Sequence, residues 1–128
     1  MVSNNNTMKR ARFAALLRDV KPPKALFEPL RASATSLWIG PAGTVTPLHH
    51  DTTNILFCQI YGRKRIELVS PQETALLMDP VHGFYSPIDL DRVRDAKHPA
   101  LRAMIVKTAI VGPGDAVYIP AGWWHRVT

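Results

Sequence analysis

The sequence predicts a mainly β domain, a barrel or sandwich of short antiparallel strands that follows a short helical arm. From Leu37 onward, short apolar runs alternate with Gly, Pro, Asn and Asp, which is the pattern of strands separated by turns. Earlier in the chain the apolar residues have a helical spacing instead. We therefore divide the 128 residues into an N-terminal helical arm, 1–36, and a β-rich core, 37–128.

The arm contains one amphipathic stretch. Between Met8 and Val20 the apolar residues recur at the spacing i, i+3, i+4, i+7, which predicts a single helix with one buried stripe. These residues are Phe13, Leu16, Leu17 and Val20. Pro22 and Pro23 end the helix because proline lacks the amide hydrogen that a helix needs. A short helical turn over Lys24–Phe27 is expected to follow.

The core is a series of short strands. The segment SLWIG predicts a first strand, GPAG a turn, and TVTPLHHD an extended segment whose proline suits a strand start or an edge. Two further strands, NILFCQIYG and KRIELVSP, flank Gly62-Arg63 and are expected to pair as a hairpin. PQETALLM predicts a helical turn, and residues 79–103 a loop. The segment KTAIVGPGDAVYIPAGWWHRVT predicts two more strands, two turns and the start of a last strand.

Charge is concentrated in the arm. Residues 1–36 hold seven Lys and Arg against two acids (+5), and the remaining residues hold nine against eight (+1). A basic arm on a near-neutral body can contact RNA or an acidic partner. The alternative is a solvated helix face, which the lack of interleaved aromatic residues favours.

Composition argues against a membrane-spanning protein and against a disulfide-stabilised one. No apolar run approaches 18 residues, so no membrane-spanning helix is expected. Cys58 is the single cysteine and has no partner for an internal disulfide, which agrees with a reducing compartment. We expect a cytoplasmic protein, with Cys58 buried in its strand.

The segment TPLHHDTTN contains candidate metal ligands. Alternate residues of a strand share a face, so His49 and Asp51 point one way and His50 the other. A third ligand must come from elsewhere, and His125, after a strand and a tight turn, is better held than His82 or His98. Two histidines and a carboxylate with open positions are typical of non-haem iron(II) oxygenases. Ordinary surface or hydrogen-bonded histidines are the alternative.

Lys64 begins a strand on the same side as Ile66 and Leu68. If those two face the core, the Lys64 ammonium begins on the inward side, where an unpaired charge is costly. A bound dicarboxylate that also chelates a metal would pair with it. The alternative is a lysine that extends from the turn into water.

Several elements, in order, resemble the Jumonji-C or cupin-like hydroxylases, in particular the small asparaginyl- and arginyl-hydroxylase-like branch. These are GPAGTVTPLHHDTTNILFCQIYGRKRIELVSP and GPGDAVYIPAGWWHRV, which match a T-P-x-H-x-D motif, a Gly-x-Lys and a G-D-x-x-x-I-P-x-x-W-W-H motif. The resemblance covers roughly residues 36–128. It implies a double-stranded β-helix, which is a jelly-roll or cupin-like barrel.

The resemblance also implies a site and an activity. His49, Asp51 and His125 would bind iron(II), and Lys64 and Thr46 would hold 2-oxoglutarate. The activity would be dioxygen-dependent hydroxylation of a substrate, in this family a protein side chain. Trp123 and Trp124 are expected to pack around the site, and Asn54 and Gln59 are weaker candidates for polar contacts in the pocket.

Other readings follow from where the chain departs from the family. Family members continue beyond the second histidine into a further strand, so we expect a barrel that lacks its last strand and has an open edge suited to a homodimer. A catalytically inactive cupin-like module that binds a metal or ligand is one alternative function. A cupin with another metal-dependent chemistry is a second, and Lys64 and Thr46 argue against it.

Overall fold

A computed structural model of the chain describes residues 11–21, 32–81, 83–95 and 97–128. The chain forms two compact units, Met1–Thr44 and Val45–Thr128. The first unit thus extends past residue 36, where the sequence placed the end of the arm. No described helix is long and apolar enough to cross a membrane.

The first unit is helical where the sequence predicts a helix. A 3₁₀ turn, Ala11–Phe13, runs into helix α1, Ala14–Leu17, and a second 3₁₀ turn covers Ala32–Ala34. The beginning of the predicted helix and the turn predicted over Lys24–Phe27 lie outside the described residues. The strand predicted from SLWIG is wrong, because residues 37–40 form no strand and Trp38 and Ile39 are exposed.

The described part of the second unit holds six strands and two short helices. Its strands are short because turn residues interrupt each apolar run. The strands are β1 Thr46–His49, β2 Ile55–Cys58, β3 Lys64–Val69, β4 Val106–Val111, β5 Ala116–Ile119 and β6 Trp124–Val127. The helices are α2 Thr74–Leu77 and α3 Pro99–Ala103, with 3₁₀ turns at Pro71–Glu73 and Val93–Asp95.

The strands form two antiparallel sheets. One has four strands in the order β1-β6-β3-β4, and the other pairs β2 with β5. This confirms the mainly β class and agrees with a jelly-roll or cupin-like fold. Among the described strands the two sheets do not join into a closed barrel. A homodimer through an open edge stays a prediction.

The four-stranded sheet has an apolar core on each face, because alternate residues of a strand point to opposite faces. On the inner face, toward the two-stranded sheet, Ile66, Val111 and Val127 pack with Ile119 of β5. On the outer face the core is covered by the helical and loop segments. Its buried members are Leu48, Val69, Leu77, Leu90, Val93, Met104 and Trp124.

The hairpin predicted around Gly62-Arg63 is wrong. β2 pairs with β5, whereas β3 pairs with β4 and β6, so the chain passes from one sheet to the other at this point. The Gln59 backbone continues the pairing of β2 with β5 by one residue, since its amide donates to the Asp115 carbonyl and its carbonyl accepts from the Gly114 amide. The partner of β2 is thus distant in sequence, and no local turn pattern could reveal it.

Two smaller predictions have mixed outcomes. The helical turn predicted over PQETALLM is confirmed by the 3₁₀ turn at Pro71–Glu73 and by α2, and α3 lies inside the segment predicted as loop. Cys58 is exposed rather than buried. It alternates with Phe57, which packs against the inner core, and therefore points away from that core.

Candidate metal centre

Strand alternation separates the two adjacent histidines. His49 is the last residue of β1, and its ring lies 4.1 Å (centroid to centroid) from the ring of His125. The ring of His50 lies instead 4.5 Å from Trp124, an outer-face core residue, and 5.2 Å from Phe84. His49 therefore belongs to the inner face and His50 to the outer face, as the sequence predicts.

The sheet register brings the distant histidine to the same place. His49 lies opposite His125 in the antiparallel pair of β1 and β6, and Leu68 of β3 lies opposite His125 on its other side. Directly opposed residues of neighbouring strands have side chains about 5 Å apart on one face. A register shift in β1 between Thr46 and His49 keeps both residues on the inner face.

Asp51 completes a three-residue cluster. Its Oδ2 atom lies 3.7 Å from Nε2 of His49 and 3.5 Å from Nε2 of His125. Each of the three side chains offers one ligand atom within 4.8 Å of the others. Within the described part of the chain no other three His, Cys, Asp or Glu side chains meet in this way.

Both imidazoles are oriented with Nε2 toward the cluster. Nδ1 of His49 lies 2.8 Å from the carbonyl of Pro47, and Nδ1 of His125 lies 3.0 Å from the carbonyl of Trp123. A carbonyl only accepts, so each Nδ1 carries the hydrogen and each Nε2 keeps a free lone pair. Metal-binding histidines typically donate from their other ring nitrogen to a carbonyl or carboxylate in this way, and the donor set fits a divalent transition metal.

Burial favours the neutral form of His125. Desolvation lowers the pKa of its imidazole, and the nearby His49 lowers it further. The hydrogen bond to the Trp123 carbonyl and the Asp51 carboxylate act in the opposite direction but do not outweigh burial. The ring is therefore unprotonated near neutral pH, which is the state that binds a metal.

Two hydrogen bonds join the segment after β1 to the turn before β6. The Gly122 amide donates to the Asp51 carbonyl at 2.8 Å, and the Ala121 amide donates to Oδ1 of Asn54 at 2.9 Å. Asn54 thus contacts the turn that precedes His125. Gln59, the other weak candidate, is buried and donates from Nε2 to the Tyr61 carbonyl, which places it at the loop between the sheets.

Lys64 and Thr46 lie on the face of the sheet that carries His49 and His125. Lys64 is paired with Val111, and Thr46 with Val127, and both partners belong to the inner core. Lys64 as a residue is half-buried, and its ammonium forms no ion pair or hydrogen bond with a described residue. An anion on the inner face would supply the missing partner.

Tyr85 contacts a member of the cluster and Lys107 lies over Trp123, and neither side chain was predicted from the sequence. The ring of Tyr85 stacks on His49 at 5.6 Å and is half-exposed, and Nζ of Lys107 lies 5.5 Å from the ring centroid of Trp123. Tyr85 comes from the segment predicted as loop, where Phe84 and Ser86 pair with β1 through backbone hydrogen bonds. No periodic pattern marks such a contact.

An ionic cluster around the buried pair of Arg126 and Glu67 lies on the outer face, beside His125 in sequence. Arg126 donates from Nε to the Glu67 carboxylate at 2.6 Å. Its Nη1 and Nη2 atoms donate to the Asp91 carboxylate at 2.9 and 2.7 Å, which makes a bidentate ion pair. Arg126 and Glu67 are both buried and directly opposed in the pair of β6 and β3. The hydrogen bond from Arg126 lowers the pKa of the Asp91 carboxyl. The sequence predicted that Glu67 and Ile66 point to opposite faces of their strand, but it did not indicate that the face of Glu67 is buried.

The remaining candidates lie elsewhere. His82 is outside the described residues, and His98 is exposed just before α3. Trp123 packs against the inner core, whereas Trp124 belongs to the outer core, where its Nε1 donates to the Thr74 hydroxyl. The two tryptophans thus pack on opposite faces of the sheet around the ligand strand.

Comparison with known proteins agrees with this geometry. The model of the cupin-like domain family matches residues 1–128. The chain is 37% identical over 93 residues to Jumonji C domain-containing protein 5 of Drosophila melanogaster, which covers 70% of this chain and 23% of that protein. It is 36% identical over 93 residues to lysine-specific demethylase 8 of Xenopus tropicalis (70% and 21%), and 30% identical over 119 residues to HSPB1-associated protein 1 of Homo sapiens (88% and 24%).

The chain spans between a fifth and a quarter of the length of these curated relatives. Each of these likenesses extends over 93 residues or more, well beyond a single motif. The family match covers the whole chain and is supported by the antiparallel sheets and the His-Asp-His cluster. The chain therefore belongs to the Jumonji C and cupin-like family, whose members are of the 2-oxoglutarate oxygenase type.

Proposed function

We propose that the protein is an iron(II)- and 2-oxoglutarate-dependent oxygenase that hydroxylates a protein side chain. The observation that carries the proposal is the convergence of His49, Asp51 and His125 on the inner face. Two imidazole nitrogens and one carboxylate oxygen leave other coordination positions open for small ligands, which is the donor set of non-haem iron(II) oxygenases.

The three side chains would hold the metal without a large rearrangement. Both Nε2 atoms already point at the Asp51 carboxylate, and the Nδ1 contacts fix each ring. Iron(II), when bound, supplies the activation of dioxygen coupled to oxidative decarboxylation of 2-oxoglutarate. The protein's own part is to orient the three ligands. The apolar residues of the inner core would limit the access of water to the site.

Lys64 is proposed as the anchor for the far carboxylate of 2-oxoglutarate. Lys64 as a residue is half-buried, its position in β3 is on the face of His125, and its ammonium has no described anionic partner. A charge-assisted contact with a carboxylate would satisfy it. The hydroxyl of Thr46, on the same face, is proposed to hold the same carboxylate.

The proposed substrate class is supported from two sides. A relative is named for demethylation of lysine, which is a protein side chain. On this chain the half-exposed ring of Tyr85 lies against His49 and offers an apolar contact beside the metal ligands. A side chain that reaches the metal would pass this ring.

Decarboxylation of 2-oxoglutarate, measured as succinate formed with iron(II), ascorbate and dioxygen, tests the proposal. We expect turnover that requires iron and is lost in Asp51→Ala and His49→Ala. His50→Ala is the matched control, since its ring lies on the opposite face. Metal binding without any succinate would contradict the proposal and favour an inactive cupin-like module.

A further inference from the structure

The metal ligands are carried by two segments that are far apart in sequence. His49 and Asp51 lie at the end of β1 and just after it, while His125 lies in β6. Backbone pairing fixes His49 against His125. Asp51 lies beyond the end of β1, in a segment without regular structure, and its side chain is about half exposed, 44%. The position of the carboxylate therefore depends on contacts outside the sheet.

The turn between β5 and β6 supplies those contacts. The Gly122 amide donates to the Asp51 carbonyl, and Trp123 closes the turn by donating its amide to the Pro120 carbonyl at 3.2 Å. The Trp123 carbonyl then accepts from Nδ1 of His125. One turn thus contacts the backbone of one ligand and the ring of another.

The Asn54 side chain joins the two segments at this turn through a hydrogen bond. Its Oδ1 accepts the Ala121 amide at 2.9 Å, between residues separated by 67 positions in sequence. The contact lies one residue from the bond between Gly122 and Asp51. Together the two bonds hold the chain from Asp51 to Asn54 flat against the turn. Neither bond involves a ligand atom.

We propose that Asn54 is a positioning residue that sets the metal affinity of the centre by holding the Asp51 segment against the turn before His125. This rests on the proposed metal ligation by His49, Asp51 and His125. A metal requires its three ligand atoms at fixed distances from one point. A segment already fixed loses less conformational entropy when the metal binds. Residues that orient ligands in this way typically change metal affinity by about 10- to 100-fold when mutated.

Titration of the metal-free protein with Co(II), followed by visible absorption, tests the inference. We expect Asn54→Ala to raise the Co(II) dissociation constant about tenfold, the lower end of that range, because the contact is solvent-exposed. Asn54→Asp keeps an oxygen acceptor and should restore most of the affinity. Thr53→Ala, at the exposed neighbouring position, is the matched control and should bind as the parent does.

Added charge and lost stability have separate controls. The double variant Thr53→Asp, Asn54→Ala places a carboxylate at the adjacent position 53 and removes the hydrogen bond to the Ala121 amide. If it recovers affinity as well as Asn54→Asp does, the rescue is electrostatic and the inference is wrong. Circular dichroism at the titration temperature confirms that each variant is folded, so that a purely structural role would leave the dissociation constant of the folded protein unchanged.

The outcomes separate this inference from the proposed function. A parent protein that binds no Co(II) would contradict the metal ligation itself. A parent that binds Co(II), with a folded Asn54→Ala of equal affinity, would overturn the role of Asn54 alone. A tenfold loss that only Asn54→Asp repairs is the result expected.

Discussion

Nε2 of His125 lies 3.5 Å from Oδ2 of Asp51, although the two residues belong to segments more than seventy positions apart. This contact exists because β1 and β6 are neighbours in the four-stranded sheet and because His49 is opposed to His125 in their register. Burial lowers the pKa of His125, so its ring gains little from the Asp51 carboxylate as an ion pair near neutral pH. The arrangement instead offers three electron-pair donors to a cation.

Metal binding is expected to need the side chains on the inner face and not that of His50 on the outer face. Asp51→Ala should remove measurable Mn(II) binding, because the two imidazoles alone make a weaker and less complete donor set. His50→Ala should bind Mn(II) as the parent does, since the His50 ring packs on Trp124 across the sheet. Electron paramagnetic resonance of free Mn(II) measures both. Equal loss in the two variants would mean that the site is not built on one face.

Comparing alanine variants of Lys64 and Lys107 tests which lysine binds 2-oxoglutarate. Lys64→Ala should weaken binding of 2-oxoglutarate to the Mn(II)-loaded, oxygen-free protein by about 10- to 100-fold, as expected for loss of a charge-assisted bond of about 1.5–3 kcal/mol. Lys107→Ala removes a cation that already lies over Trp123 and should have a smaller effect. Isothermal titration calorimetry measures both constants. If Lys107→Ala costs more than Lys64→Ala, the anchor has been assigned to the wrong lysine.

The ionic cluster on the outer face predicts a stability effect. Arg126→Met removes the 2.6 Å partner of the buried Glu67 carboxylate, which keeps Arg65 at 3.7 Å, and should lower the free energy of unfolding by about 1.5–3 kcal/mol. Arg63→Met, at an exposed position, should change it by less than about 0.5 kcal/mol. Urea unfolding of the metal-free protein gives both values. A loss for Arg126→Met no larger than that of the control would show that the cluster contributes nothing to stability.

The lowered pKa of His125 predicts acid sensitivity of the metal-free fold. An unfolded histidine titrates near pH 6.5, whereas burial keeps the folded ring neutral to lower pH. The unfolded state therefore binds more protons below about pH 6.5, and stability falls as the pH decreases from there toward the folded pKa. Thermal unfolding at several pH values measures this. His125→Gln should flatten the dependence, while His98→Gln, at an exposed position, should keep it.

Much of this site could be predicted from sequence because its information is local or motif-like. Period-two alternation is sufficient to separate His49 from His50, and it placed Lys64 on the face of Ile66. Pairing between distant strands has no such signal. The partner of β2 is β5 rather than β3, and the backbone contacts of Gln59 with Gly114 and Asp115 extend that pairing by one residue before the loop that leads to β3. A turn dipeptide such as Gly62-Arg63 is compatible with either connection.

Burial on the outer face of the sheet could not be predicted from the sequence either. Glu67 and Arg126 look like solvated charges in a strand pattern, yet they are buried because helical and loop segments cover that face. The contacts of Tyr85 with His49 and of Asn54 with Ala121 arise from loop and turn backbone positions. These depend on tertiary geometry, which hydrophobic periodicity does not encode.

Anomalous diffraction from crystals of the Mn(II)-loaded protein, collected above and below the manganese absorption edge, tests the central claim most directly. We predict one strong anomalous peak per chain, coordinated by Nε2 of His49, Nε2 of His125 and the carboxylate of Asp51. The same data from Asp51→Ala crystals should lack that peak. A peak bound elsewhere, or one that persists in Asp51→Ala at the same position, would contradict the assignment of the metal centre.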